Sequence, residues 1–459
     1  MSVDRIRACL MAAMCAAAGG CAQAETMDMV AERYVKLVLA VGQHDADYVD
    51  AYYGPPEWRK QAEASKRAIP DIDRDAGDLL KQVAARAPGE DAEELVHLRH
   101  AYLKRQLEAL RARVAMLEGR RLTFDEESKA LYDAVAPTHT AADFERILSE
   151  IERALSSRSG SGRAPRLDSG QAPRLHSGQA REPSLVERYE EFRERFVIPP
   201  DRLDRVFKAA IDGCRSRTLE HIQLPTTESF TVEYVTHKSW SAYNWYQGNY
   251  RSIIQVNTDL PIYIDRAIDL ACHEGYPGHH VYNVLLEKNL VRDRAWQEFS
   301  VYPLFSPQSL IAEGTANFGI EVAFPRAERV AFEEKVLFPA AGLDPSQTSQ
   351  YYEVFGLVDR LSYAGNEAAR RYLNGEIDAR AAADWLEKYG LYSRPRAEQR
   401  VRFMDQYRSY VINYNLGKDM VAAYVAARGG TENQPARRWE VFEGLLSSPR
   451  LPSGLRADR

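Results

Sequence analysis

The sequence predicts a mainly α fold with one small β-sheet, and three observations predict it. Apolar residues recur at three-to-four spacing through Leu95, Leu98, Tyr102, Leu107, Leu110, Val114 and Leu117, with charges between them, as in a helix with one buried face. Two short runs, 231–235 and 252–257, have the residue types of strands. A histidine–glutamate motif at 273–280 follows directly on a helical stretch beginning at 262.

The N-terminus reads as a targeting segment. Arg5 and Arg7 precede an apolar run, 8–18, that is too short to span a bilayer. Ala22-Gln23-Ala24 is a small-x-small site, giving a signal peptide of 1–24 and a mature chain from Glu25. Ala18-Gly19-Gly20-Cys21 instead resembles a lipobox, giving a leader of 1–20 with Cys21 lipidated and kept as a membrane anchor. Both readings make the chain exported, either periplasmic or membrane-anchored.

Residues 25–156 form an N-terminal helical lobe, punctuated by the turn Tyr53-Gly54-Pro55-Pro56 just after the polar cluster Gln43-His44-Asp45-Ala46-Asp47. Residues 157–184 differ in kind. Ser161-Gly162-Arg163-Ala164-Pro165-Arg166-Leu167-Asp168 is nearly repeated as Ser169-Gly170-Gln171-Ala172-Pro173-Arg174-Leu175-His176, and a decaying copy starts at Ser177. Such a Gly/Pro/Ser/Arg tandem cannot bury a core, so a disordered surface insertion is expected. Helical pattern resumes near Leu185 and opens a catalytic lobe, 185–459. Within it 241–250 reads as a long, aromatic-rich connection between the two strands, and the residues after Leu446 as a polar tail.

Composition excludes some functions. The 459-residue chain is 45% hydrophobic and 27% charged, as soluble globular proteins are. A net charge of -6, with no basic stripe interleaved with aromatics, argues against nucleic-acid binding. Cys9, Cys15 and Cys21 fall in the leader; Cys214 and Cys272 remain, either as one disulfide or as two buried thiols. Neither has CxxC spacing, so a thiolate metal site is not expected.

The decisive stretch is Ala271-Cys272-His273-Glu274-Gly275-Tyr276-Pro277-Gly278-His279-His280. In zinc peptidases a helix presents a histidine ligand, an adjacent glutamate that activates water, and a second histidine one turn later. Here proline occupies that later position. On an unbroken helix His273 and His280 would share a face but stand roughly 10 Å apart along the axis, too far to bind one ion through bonds of about 2 Å. Gly275, Pro277 and Gly278 therefore predict a break at 275–276 with a fresh turn from Pro277. The bend returns His279 or His280 toward His273. His279 is preferred as ligand, with His280 as its support or as a transition-state donor. Glu313, in Ile311-Ala312-Glu313-Gly314-Thr315-Ala316-Asn317, is the third ligand; Glu321 is a weaker alternative. The small residues after Glu313 would let this helix approach the metal helix, and Asn317 would orient a ligand histidine.

His-Glu-Gly-Tyr-Pro-Gly-His-His, followed by Glu313-Gly314-Thr315-Ala316, resembles the domain of unknown function 885 family of bacteria, many of whose members are candidate lipoproteins. Gly42-Gln43-His44-Asp45 with Asp47-Tyr48, Tyr53-Gly54-Pro55-Pro56 and Arg360-Leu361-Ser362-Tyr363-Ala364-Gly365 extend the resemblance over nearly the whole mature chain. It implies a large helical, zincin-like metallopeptidase fold related to glutamate-zinc peptidases. The implied ligands are His273, one histidine of the 279–280 pair and Glu313, with Glu274 as general base.

The expected chemistry is hydrolysis of a peptide or small amide by one zinc ion per chain. Tyr363 is the candidate oxyanion donor, and the strand at 252–257 a candidate edge for pairing with an extended peptide. His44, Asp45 and Asp47 either recognise a peptide terminus or cap a turn. The alternatives to a peptidase are a zinc amidase acting on cell-wall fragments and a non-catalytic envelope protein that binds metal or peptide.

Overall fold

The computed structural model describes residues 26–156 and 182–456. The expected leader with its cleavage sites and Cys21, and the repeat tract through residue 181, lie outside the described residues. Within them the chain is mainly helical with two small sheets. Helices start where local chemistry favours it. Thr26 accepts from the Met29 N–H at 3.3 Å to cap Met27–Val41. Thr123 with Glu126 and Ser184 with Glu187 close reciprocal capping boxes on Phe124–Tyr132 and Leu185–Glu194. In Glu94–Leu117 the predicted periodicity is realised: Tyr102, Leu107, Leu110 and Val114 are buried.

One hydrophobic core runs through both halves of the chain, from Val30 and Leu110 to Leu310, Tyr410 and Leu455. Polar contacts join the halves. Tyr102 donates to Gln308 Oε1 at 2.7 Å, and Ser409 Oγ donates to Glu127 Oε1 at 2.7 Å. The residues after Leu446 are not a free tail. Leu451 and Leu455 are buried, and the Ser453 N–H donates to Asp133 Oδ2 at 3.0 Å.

The sheet beside the site has three strands where two were expected. Ser229–Val235 pairs parallel with Arg251–Asn257, and Ala242–Gly248 pairs antiparallel on its other side. This third strand hides in the supposed connection because its inward residues are not all apolar: Asn244, Tyr246 and Gly248 are buried while Trp245 and Gln247 are exposed. The 252–257 segment is consequently the central strand, with both edges paired, and cannot receive a peptide. The two-stranded sheet, Val49–Tyr52 antiparallel to Val301–Pro303, carries the segment around Asp50 to the same cleft.

Two close approaches set the helices around the site. Pro307–Ala323 and Ile412–Ala427 meet at Gly314 and Gly417, where a Cβ on either would strike the other's backbone. The small residue after Glu313 thus serves the 412–427 helix, not the metal helix as expected; Gly319 is the residue that meets the metal segment, at Pro277. Cys214 and Cys272 form a disulfide, which ties Leu203–Leu219 to the residue preceding His273. Among the described residues no helix is long and apolar enough to cross a membrane.

Candidate metal centre

The metal motif is an interrupted helix. Asp265–Leu270 is α-helical and widens into a π-turn over Ala271–Gly275. Tyr276 then leaves helical geometry (φ -116°, ψ 119°), as a residue before proline tends to. The Tyr276–Pro277 peptide is cis, and the next helix, His279–Leu286, begins at His279. The break falls at the predicted place, but the fresh turn begins two residues later than predicted. Gly278 folds onto the preceding turn, its N–H donating to the Cys272 carbonyl at 2.9 Å, where a Cβ would collide with the His273 carbonyl oxygen. The reversal brings His273 Nε2 and His279 Nε2 to 3.1 Å from each other.

Glu313 closes the triangle. Its Oε2 lies 3.3 Å from His273 Nε2 and 3.7 Å from His279 Nε2, yet is buried with no hydrogen-bond partner. An orphaned buried carboxylate oxygen is costly unless something else satisfies it. Tetrahedral zinc with bonds of about 2.0–2.1 Å sets its ligand atoms roughly 3.3 Å apart. The three atoms, separated by 3.1, 3.3 and 3.7 Å, fit an ion of that size.

Neighbours hold these side chains in their acceptor states. Asn317 donates its amide to the Tyr414 carbonyl at 3.1 Å, which turns Asn317 Oδ1 to His273 Nδ1, also at 3.1 Å. His273 Nδ1 therefore carries the proton, and Nε2 presents its lone pair to the centre. Tyr410 donates to Glu313 Oε1 at 2.7 Å. Burial, the strongest influence on Glu313, pushes its pKa up, while His273 and His279, when protonated and donating to it, draw it well below the usual carboxylate range.

Glu274 is the second carboxylate. It offers an oxygen within 4.8 Å of ring nitrogens on both His273 and His279, so proximity alone would admit it as a ligand. Glu313 is the stronger candidate because its oxygen faces both rings at closer range. Burial pushes Glu274 up to about 7, with Glu313 and Asp50 acting in the same sense against His279 and Arg266. Asn244 donates to its backbone carbonyl at 2.7 Å, joining the sheet to the metal helix.

Several predicted residues stand apart from the cluster. His280 is fully buried facing away from it, Nδ1 2.8 Å from Ser252 Oγ and Nε2 3.0 Å from Glu228 Oε2. Both of its ring nitrogens are thus engaged outside the cluster. Glu321 is paired with Lys418 at 2.7 Å. Tyr363 lines the cleft, but its hydroxyl donates to Asp419 Oδ2 at 2.6 Å and its ring packs on His139. His44 Nε2 donates to the Arg67 carbonyl at 2.7 Å and Asp45 pairs with Arg113 at 2.7 Å, so both tie down a turn. Of that cluster only Ala46 and Asp47 reach the cleft, together with the nearby Asp50.

The cleft holds about 1140 Å³ and is lined by residues that the sequence did not single out, among them Asp50, Tyr243, Arg396, Arg400, Tyr410 and Tyr414. Arg396, Gln399, Arg400, Phe403 and Tyr407 all line it from Arg394–Tyr407, at helical spacing. That spacing was legible, but a stripe of arginines and aromatics reads equally as a solvated face.

Fold and site together define a class: a mainly helical protein with a partly buried His/His/Glu cluster suited to a divalent metal and a further carboxylate beside it. No family model matches the chain, and no curated protein does. The resemblance to the domain of unknown function 885 family therefore rests on its short motifs. Among solved structures the chain is similar to a candidate lipoprotein from Colwellia psychrerythraea (14% identity, 94% of this chain and 75% of that one, TM-score 0.48). A candidate lipoprotein of unknown function from Shewanella oneidensis gives 14% identity over 87% and 75%, TM-score 0.45. The M32 carboxypeptidase from Deinococcus radiodurans R1 gives 14% identity over 91% and 88%, TM-score 0.34. At these scores the likenesses carry no weight for fold or function.

Proposed function

We propose that this protein is a zinc-dependent hydrolase of peptide bonds, with His273, His279 and Glu313 holding one zinc and Glu274 acting as general base. The observation that carries this reading is the orphaned Glu313 Oε2 facing two imidazole nitrogens, with a differently tuned carboxylate alongside. Zinc bound there would polarise the scissile carbonyl and acidify the attacking water. Glu274 takes that water's proton and delivers it to the leaving amine.

The surroundings support a peptide substrate. A cleft of about 1140 Å³ exceeds the needs of a single small metabolite. Its wall includes Ala242, Tyr243 and Asn244 of an edge strand, which takes over the peptide-pairing role first expected of 252–257. For the oxyanion we favour Tyr414 over Tyr363. Tyr414 lines the cleft and its hydroxyl makes no hydrogen bond among the described residues, whereas the Tyr363 hydroxyl is held by Asp419. The disulfide next to the metal helix suits an exported protein in an oxidising compartment, with or without a lipid on Cys21.

Elemental mass spectrometry of the mature chain, native and with His273→Ala, tests the centre; peptide hydrolysis by Glu274→Gln tests the chemistry. Support would be one zinc per native chain, lost in His273→Ala, and turnover lost in Glu274→Gln with the zinc kept. A native chain that takes up no zinc after zinc is supplied sinks the proposal, and a fully active Glu274→Gln removes the general base.

A further inference from the structure

We propose that Arg396 and Arg400 form a carboxylate-binding site, and that the protein takes short peptides by their free C-terminal carboxylate and trims them from that end. The binding site stands on its own observations; the trimming rests on the hydrolase reading above.

Unanswered positive charge is the first observation. Arg396 and Arg400 lie one turn apart on Arg394–Tyr407, and both line the cleft. Three other arginines of this cleft are matched by acids, Arg266 with Asp269 at 3.2 Å, Arg329 with Asp269 at 2.8 Å and Arg360 with Glu150 at 2.5 Å, and Arg326 donates to the Tyr352 carbonyl at 3.3 Å. Among the described residues no carboxylate pairs with Arg396 or Arg400. Arg396 donates only to neutral groups, Gln399 Oε1 at 3.0 Å and Ser241 Oγ at 3.2 Å. Arg400 rests on the rings of Phe403 and Tyr414, 4.4 and 5.5 Å from their centroids. Burial lowers the Arg396 pKa, with Tyr392 opposing and the like charges of Arg266 and Arg400 adding to the lowering. Two guanidiniums held together without an acid form a fork for a carboxylate supplied from outside.

Position is the second observation. Ser241, which accepts from Arg396, immediately precedes the edge strand Ala242–Gly248. Tyr414, under Arg400, accepts at its carbonyl from the Asn317 that orients His273. Arg266 acts electrostatically on both Arg396 and Glu274. The fork therefore adjoins the surface proposed to hold the substrate backbone and opens on the same cleft as the proposed general base. The far end of the same helix is acidic: Gln406 donates to Asp47 at 3.2 Å, and Asp47 and Asp50 both act on Tyr407. Eleven residues of helix span about 16 Å, the length of roughly five extended residues. A cleft positive at one end and negative at the other admits a short peptide in one direction, with its carboxylate at Arg396 and Arg400. In the reaction, water oxygen bonds to the scissile carbonyl carbon, the C–N bond breaks, and the proton carried by Glu274 goes to the amine of the released C-terminal fragment.

The test uses the full mature chain carrying Glu274→Gln and loaded with zinc. Two probes are compared: mixed N-acetylated tetrapeptides of uncharged amino acids as free acids, and the same mixture as C-terminal amides. Retention is read by equilibrium dialysis and mass spectrometry. Acids should be retained about 10- to 100-fold more tightly, the worth of a charged hydrogen-bonded contact. Adding Arg396→Ala or Arg400→Ala should bring that ratio toward one while zinc is kept, and Arg396→Lys should restore part of it. Arg396→Gln serves if the alanine variant does not melt cooperatively. Equal retention of acids and amides overturns the proposal, as does a preference unchanged in both arginine variants. A native chain that hydrolyses both mixtures alike, with equal retention, keeps the hydrolase and removes the carboxylate site. Selective retention of acids without hydrolysis of either mixture does the reverse.

Discussion

The Tyr410 hydroxyl donates to Glu313 Oε1 at 2.7 Å, and this bond decides which oxygen of Glu313 faces the two histidines. Tyr410→Phe should lower zinc affinity about 10- to 100-fold, as loss of an outer hydrogen bond to a ligand commonly does. The ring would still pack edge-on against Tyr132, at 5.9 Å between centroids, so the metal-free fold should change little. Chelator competition measures the first effect and thermal melting of the metal-free chain the second. Unchanged affinity would show that Glu313 needs no such support.

Gly278 is the residue at which the chain doubles back. Gly278→Ala places a Cβ against the His273 carbonyl, and we expect a loss of roughly 3 kcal/mol together with weakened zinc binding. Chemical denaturation of the metal-free chain reads the first. A variant as stable as the parent would mean that the turn relaxes freely.

The Cys214–Cys272 disulfide spans 58 residues. Loop-closure entropy puts its contribution at about 4 kcal/mol. Cys214→Ala should therefore melt well below the parent under non-reducing conditions, and reductant should lower the parent toward the variant. Parent and variant that melt together would show that the bridge does not hold the fold.

Glu228 anchors the far side of the metal helix, accepting from His280 at 3.0 Å, Tyr276 at 2.5 Å and Arg215 at 3.0 Å. Burial pushes its pKa up, but those three donors bring it down to about 2 from the ordinary 4.5. A depressed folded pKa stabilises fully above the unfolded value, so this contribution is present above pH 4.5 and disappears as pH falls toward 2. Glu228→Gln should be less stable near neutrality and lose less on acidification through that window. Melting curves that stay parallel to the parent's across it would count against the idea.

Much of the local structure was legible because its causes are local. The helical stripe from Leu95 to Leu117 and a break between His273 and His279 both follow from side-chain periodicity and the Gly-Pro-Gly chemistry of the turn. The third strand was missed because Asn244 turns inward to hold the Glu274 carbonyl, spoiling the apolar alternation that marks strands. Treating 252–257 as an edge failed for a related reason: strand order depends on pairing between segments, and no segment records its neighbours.

The sequence by itself determined that a helix bearing His273 and Glu274 must bend within six residues to bring a second histidine back. It also singled out Glu313 and Asn317, one turn apart, as an expected third ligand and a neighbour expected to orient a ligand histidine. Only the tertiary structure separates the positions of His279 and His280. They are chain neighbours on a helix, so about 100° of rotation separates their side chains, and where each side points depends on what packs there. One side faces Glu313 and a cleft; the other faces Ser252 and Glu228, which engage both nitrogens of His280. Tyr410, Arg396 and Arg400 likewise acquired their places because Gly314 and Gly417 let two helices close on each other, and because the 394–407 helix turns its stripe inward. Those are contacts between residues far apart in the chain, set by packing and not by spacing.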